Sequence, residues 1–101
     1  MEEFKDKFGN KIRLSDGHWQ HVIKEHPEIA AYKKRFGDVL LNPDLIKRSK
    51  RDSNTFLYYK YYKDIYKGKY LLVVARIEDK SLLTCYITDR IKEGDSIWEK
   101  N

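Results

Sequence analysis

The sequence predicts an α+β domain in which two N-terminal helices pack on a four-stranded antiparallel β-meander. Apolar residues recur at helical spacing only in the first part of the chain, which ends before Asn42-Pro43. The remainder consists of Tyr-, Leu- and Val-rich runs that are separated by short turns. Because 101 residues suffice for one modest core, residues 1–101 are assigned to a single domain.

The N-terminal segment predicts a turn followed by a helix. Gly9-Asn10 lies between two short alternating segments, which is typical of a small hairpin or turn. Ser15 or Asp16 can cap the helix that follows, and the apolar spacing ends at about Glu25 or His26. The first helix is therefore predicted over about residues 16–26.

A second helix and four strands complete the prediction. Pro27 suits the first position of a helix, so the second helix is predicted over about residues 28–41. Beyond it, each gap between apolar runs is short enough to join antiparallel neighbours. The predicted strands are LIKRSKR, TFLYYKYY, KYLLVVARI and SLLTCYIT, and the segment DRIKEGDSIW can add a turn and a last short strand.

Alternation along the last two strands assigns their side chains to two faces. The apolar set is predicted to pack under the helices: Leu71, Val73, Ala75, Ile77, Leu83, Cys85 and Ile87. The polar set is predicted to gather on the opposite face: Arg76, Thr84, Tyr86 and Thr88. This polar face is either a place for chemistry or a solvated sheet surface, which antiparallel sheets commonly have.

The charge balance favours a polyanionic partner. The net charge is +5 and the sequence pI is near 9.2. Basic residues crowd one segment around Lys50, and the run FLYYKYYKDIYKGKY interleaves Tyr with Lys. Such residues can stack on bases and hold phosphates, although a strand with an outward Tyr/Lys face explains the run equally well.

All three histidines lie on the first predicted helix. On a helical wheel His26 falls in the apolar stripe, whereas His18, His21 and Glu25 fall on the adjacent arc. A metal shared by His18, His21 and Glu25 is disfavoured, because no second cluster of ligands follows. Taken alone, His26 is interpreted as a core histidine and His21 as a surface partner of Glu25. Two such histidines on one helix of a basic chain favour acid–base chemistry.

The remaining features point to the cytoplasm. Cys85 is the only cysteine and lies in an apolar strand, so a buried thiol is predicted rather than a disulfide or a nucleophile. No apolar run approaches the length needed to span a bilayer, and the charged N-terminus lacks the apolar stretch of a signal peptide. No membrane association is expected.

A series of short motifs resembles a phage-associated group within the barnase, EndoU, colicin and RelE-like nuclease superfamily. The series is W-x-H-V-I-x-x-H-P-E-I, N-P-D-L-I-x-x-S, F-L-Y-Y-K, Y-L-L-V-V, L-T-C-Y and G-D-S-I-W, from about residue 18 to 99. The resemblance implies a RelE/barnase-like fold and metal-independent RNA cleavage, in which the ribose 2′-hydroxyl attacks its own phosphate. His21 and His26 match the helix motif, and Thr84 and Tyr86 match the late strand motif.

The sequence thus predicts a small, metal-independent ribonuclease or nuclease-like toxin domain. The predicted catalytic residues are His21, His26, Arg76, Thr84 and Tyr86, of which Arg76 rests on strand alternation alone. The predicted substrate-binding residues are Arg48, Lys50, Arg51, Tyr58 and Lys60. RNA is the expected partner, an antitoxin or immunity protein is a further candidate, and no cofactor is expected. The alternatives are a non-catalytic RNA- or DNA-binding module and a phage accessory domain that binds another protein.

Overall fold

The computed structural model describes residues 1–101. Its helices are α1 (Asp16–Glu25), a 3-10 helix (Pro27–Arg35) and α2 (Phe36–Leu41). Its strands are β1 (Glu2–Lys5), β2 (Lys11–Leu14), β3 (Leu45–Ser49), β4 (Thr55–Tyr62), β5 (Lys69–Arg76), β6 (Ser81–Thr88) and β7 (Gly94–Glu99). No helix is long and apolar enough to cross a membrane.

The seven strands form one mixed sheet in the order β1-β2-β6-β5-β4-β3-β7. The predicted four-stranded antiparallel sheet, and with it the RelE/barnase-like layout, is therefore wrong. The four strands β6-β5-β4-β3 are antiparallel, but the hairpin β1–β2 joins β6 in parallel and β7 pairs with β3. The added strands pair with backbone groups that the edges of a four-stranded sheet would leave without partners.

The helical region also differs from the prediction in its second half. Residues 28–41 are not one helix, because the 3-10 helix extends over 9 residues before α2 begins. Only Ile29 is buried within the 3-10 helix, so little apolar packing favours α geometry there. The first helix agrees with its prediction, since Ser15 is the N-cap and its hydroxyl accepts a hydrogen bond from the backbone N–H of His18.

The helices pack on one side of the sheet, called here the covered face. Its core includes Val22 and Phe36 from the helices and Val73, Ala75 and Cys85 from the sheet. The opposite side, called here the open face, has a smaller apolar cluster and no helix over it. That cluster contains Leu57, Tyr59, Leu72 and Val74.

A β-bulge in β6 changes the predicted face of one residue. The cross-strand pairing skips Leu83, which is the extra residue between Leu82 and Thr84. Leu82 is therefore the residue that packs in the covered core, whereas Leu83 lies against the open-face cluster. Past the bulge the alternation agrees with the prediction, with Cys85 in the core and Tyr86 on the open face.

Helix α1 lies beside the outer edge of β6, most of which has no strand on that side. Strand β2 meets β6 only at the pair Arg13–Ser81. Next to it, His18 Nε2 lies 2.5 Å from the carbonyl oxygen of Leu83. Because a carbonyl oxygen only accepts hydrogen bonds, Nε2 carries the proton. This contact ties α1 to the sheet edge, and His26 follows at the end of the helix.

Candidate functional site

The open face carries a groove of about 390 Å³ that we call the basic groove. Its floor is apolar, with Leu57 and Val74 in neighbouring strands. Its rim is polar and comes from three separate parts of the chain: the turn after β3, strand β6 and the loop before β7. The rim residues that matter for chemistry are Lys50, Arg51, Thr84, Tyr86, Lys92 and Glu93.

The imidazole of His26 adjoins this groove because it is stacked on Tyr86. The ring of His26 is stacked on the ring of Tyr86, with 5.1 Å between centroids and 25° between planes. His26 is the C-cap of α1, and its backbone N–H bonds to the carbonyl of Val22, so the helix end fixes its position. Its Nδ1 also lies 3.8 Å from a carboxylate oxygen of Glu28. Helix and sheet therefore contribute adjacent acid–base groups at one edge of the groove.

Lys92 brings a positive charge to the same phenol. Its ammonium lies 5.6 Å from the ring centroid of Tyr86. The backbone N–H of Lys92 donates to the hydroxyl of Tyr59, with 3.0 Å between the two atoms. Burial raises the pKa of Tyr59, and the hydrogen bond from Lys92 opposes that rise. A buried open-face tyrosine thus anchors the loop that carries Lys92.

The groove keeps cations that no carboxylate neutralises. Arg51 and Lys92 make no ion pair, whereas Lys50 lies 3.0 Å from Glu93 in a pair whose side chains are both mostly exposed. Exposed pairs of this kind are weak and yield readily to a competing anion. The basic groove can therefore attract a phosphate without first breaking a buried contact.

Three of the predicted catalytic residues do not line the basic groove, and of these only His26 contacts it, by stacking on Tyr86. His21 is on the exposed side of α1, where its Nε2 lies 2.6 Å from Glu25. Arg76 bonds to Asp79, which lowers the pKa of that carboxyl, and it lines a neighbouring pocket with His18. His26, Thr84 and Tyr86 are the predicted catalytic residues that the structure brings together.

Three of the predicted substrate-binding residues also lie elsewhere. Tyr58 is fully buried on the covered face, where its hydroxyl donates to Asp6 at 2.6 Å. Lys60 donates to the backbone carbonyl of Asn42 at the end of α2. Arg48 lies over the ring of Phe56 on the covered side, with its buried Nε unpartnered. Lys50 and Arg51 follow the end of β3, and from this turn they line the groove.

The other candidate chemistries find little support in the side-chain arrangement. No group of three or more His, Cys, Asp or Glu residues could hold a metal ion. Cys85 is buried, as predicted, and burial raises the pKa of its thiol, which makes it a poor nucleophile.

Sequence reasoning missed Lys92 and Glu93. They lie in DRIKEGD, where charged residues follow one another without the periodicity that assigns a face. Their place in the groove depends on β7 turning back to pair with β3, a contact between distant parts of the chain. The chain matches no protein-family model, no curated protein and no solved structure.

Proposed function

We propose that this protein is a small ribonuclease that binds RNA in the basic groove and cleaves it without a metal ion. The observation that carries the proposal is the stack of His26 on Tyr86, with Lys92 above the same phenol. These contacts place an imidazole and a positive charge against the ring of one phenol. The motif resemblance to the barnase, EndoU, colicin and RelE-like superfamily implies the same activity, although the sheet layout that it also implies is not the observed one.

The chemistry is an internal transfer of the phosphodiester. The imidazole of His26 takes the proton of the ribose 2′-hydroxyl, and the 2′-oxygen bonds to phosphorus. The bond to the 5′-oxygen breaks, and that oxygen receives a proton from the phenol of Tyr86. The products are a 2′,3′-cyclic phosphate and a 5′-hydroxyl, and proton exchange with water restores both side chains.

Positive charge assists this step because the phosphorane gains negative charge as it forms. Lys92 lies over the ring of Tyr86 and takes the role predicted for Arg76. Arg51 and Lys50 line the same groove and hold flanking phosphates. The 2′-hydroxyl requirement restricts cleavage to RNA. An RNA substrate and a single buried thiol agree with a proposed location in the cytoplasm.

The test is RNA cleavage in the presence of EDTA, with His26→Ala and Tyr86→Phe as variants. Each variant is expected to lose about 10²- to 10⁴-fold in rate, the usual contribution of a proton-transfer group. Tyr86→Phe keeps the aromatic stack and removes only the hydroxyl. His21→Ala is the matched control, because it removes an imidazole from the same helix outside the groove. Equal cleavage by all four proteins, or cleavage of DNA at the same rate, would overturn the proposal.

A non-catalytic RNA-binding module is the second candidate. It is favoured by the positions of His21 and Arg76, which lie outside the groove and are paired with carboxylates. This alternative predicts RNA affinity that falls steeply with salt and no cyclic-phosphate product under any condition. Absence of both affinity and cleavage would reject the two candidates together.

A further inference from the structure

A second pocket of about 340 Å³ adjoins the basic groove on the open face. It lies where β2 meets β6, and two arginines from different strands line it: Arg13 from β2 and Arg76 from β5. Ser15, His18 and Ser81 contribute polar groups to the same lining. Nothing in the reaction proposed above uses this pocket.

The register of the sheet brings the two arginines together. Ser81 on β6 pairs with Arg13 on one side and with Arg76 on the other. Cross-strand partners project to the same face, so the three side chains form a row on the open face. Because neighbouring strands lie about 4.8 Å apart, the two arginine backbones are about 10 Å apart, a gap that two guanidinium groups can close around one anion.

The same row leads directly into the basic groove. Arg76 pairs with Thr55 on β4, and Thr55 is part of the groove lining. On β6, Leu83 lines the pocket and the next residue, Thr84, lines the groove. The row Arg13, Ser81, Arg76 and Thr55 thus joins the pocket to the groove along the open face.

The charges in the pocket are only partly neutralised. Arg13 makes no ion pair, and its one side-chain hydrogen bond goes to the backbone carbonyl of Asp79 at 3.0 Å. Arg76 is held by the Asp79 carboxylate, whose nearest oxygen lies 3.2 Å from its Nη2. Both side chains of that pair are close to half exposed. An arriving phosphate therefore meets one free guanidinium and one that it can share with Asp79.

We propose that Arg13 and Arg76 form a phosphate subsite that holds the backbone of an RNA strand next to the one in the basic groove. This inference rests on the proposed function for the identity of the ligand. The chemistry it requires, a tetrahedral phosphate between two guanidinium groups, is also that of free inorganic phosphate. Arg13 and Arg76 act in binding, so they affect substrate affinity rather than the chemical step.

The first test compares 2′-O-methyl RNA, which cannot be cleaved by this chemistry, as a trinucleotide and as a hexanucleotide. Arg13→Ala is expected to weaken hexanucleotide binding by about three- to tenfold and to reduce the salt-dependence slope by about 0.7, the loss of one phosphate contact. Trinucleotide binding in the groove is expected to stay the same. Lys11→Ala is the matched control, because Lys11 is an exposed cation two residues away on β2 that lines neither pocket.

Asp79→Asn is expected to change hexanucleotide affinity in the opposite direction. It removes the charge that competes for Arg76 and is expected to tighten hexanucleotide binding by about two- to threefold. If Arg13→Ala and Lys11→Ala weaken the hexanucleotide equally, the subsite is rejected even when the groove binds and cleaves RNA. That result separates failure of the subsite from failure of the proposed function.

If no RNA binds, a titration with inorganic phosphate tests the subsite. The titration is followed by NMR through the side-chain N–H signals of Arg13 and Arg76. Shifts in the wild type that vanish in Arg13→Ala support a site for free phosphate. Unchanged arginine signals, together with absence of RNA binding, overturn the proposal.

Discussion

Tyr58 and Tyr59 are consecutive residues on β4, both fully buried, and they serve opposite faces of the sheet. The hydroxyl of Tyr58 points into the covered face and donates to the carboxylate of Asp6. The hydroxyl of Tyr59 faces the open side and accepts from the backbone of Lys92. One phenol thus closes the core against the N-terminal hairpin, while the next holds the loop that completes the basic groove.

The comparison shows that buried contacts on the covered face stabilise the fold, whereas contacts on the open face position the groove residues. Asp6 is almost fully buried and accepts hydrogen bonds from Phe8, Asn10 and Tyr58. The corresponding open-face contacts of the groove are one exposed ion pair and a single hydrogen bond to a loop. Substitutions on the two faces should therefore separate loss of folding from loss of function.

The largest expected effect is that of Asp6→Ala on the covered face. It removes the acceptor for two backbone N–H groups, for the Asn10 amide and for Tyr58, which leaves one buried hydroxyl and three part-buried donors without this partner. We expect the free energy of unfolding to fall by about 3 kcal/mol. Urea denaturation measures this value, with Asp95→Ala, an exposed β7 carboxylate, as the control. A loss no greater than that of the control would contradict the comparison.

The next largest expected effect is a loss of stability at alkaline pH that depends on Tyr58. Burial, and then the hydrogen bond and charge of Asp6, raise the pKa of Tyr58 far above its usual value of 10.0. The folded protein therefore retains a proton that the unfolded chain loses, so the stabilising contribution is complete below about pH 10 and is lost as the pH rises above it. The midpoint temperature of thermal unfolding is expected to fall less steeply with rising pH for Tyr58→Phe than for the wild type. Parallel curves would show that Tyr58 does not titrate in this way.

Tyr59→Phe should have a smaller effect on stability and a clear effect on the groove. It removes the acceptor of the Lys92 N–H, at a cost of about 1 kcal/mol. Because the loop with Lys92 then loses its anchor, RNA cleavage is expected to fall about tenfold while the covered core stays intact. Tyr61→Phe is the control, since Tyr61 is exposed on the same strand. Unchanged cleavage in folded Tyr59→Phe would remove Lys92 from the proposed chemistry.

The smallest effect is expected for Glu93→Gln. Loss of the exposed pair frees Lys50 and should change the unfolding free energy by less than about 0.5 kcal/mol. RNA affinity is expected to rise about twofold at low salt and to return to the wild-type value at high salt. Fluorescence anisotropy at several salt concentrations measures both. A drop in affinity would assign Glu93 to RNA binding instead of competition.

Local features could be predicted from the sequence because neighbouring residues decide them. The Ser15 cap, the end of α1 before Pro27 and the buried Cys85 follow from short patterns. His26 was placed in the apolar stripe of the helix, and that stripe brings it to the sheet edge beside Tyr86. The hairpin and the last short strand were also visible as segments, although the sheet they complete was not.

Features that depend on distant contacts could not be predicted in this way. β4 carries aromatic residues on both faces, so alternation alone does not say whether Tyr58 or Tyr59 faces the core. The bulge at Leu83 adds one residue to a regular pattern without a sequence signal. The Arg13–Ser81 pair joins residues that are far apart in the chain, and the proposed subsite depends on it.

That parallel pair also constrains when the molecule can work. Strand β2 is made early in translation but has to wait for β6, and the groove then needs Lys92 and the pairing of β7 with β3. Long-range contacts of this kind form late, because the intervening chain must first be brought together. A nascent chain still held on the ribosome before β7 has emerged carries no complete groove.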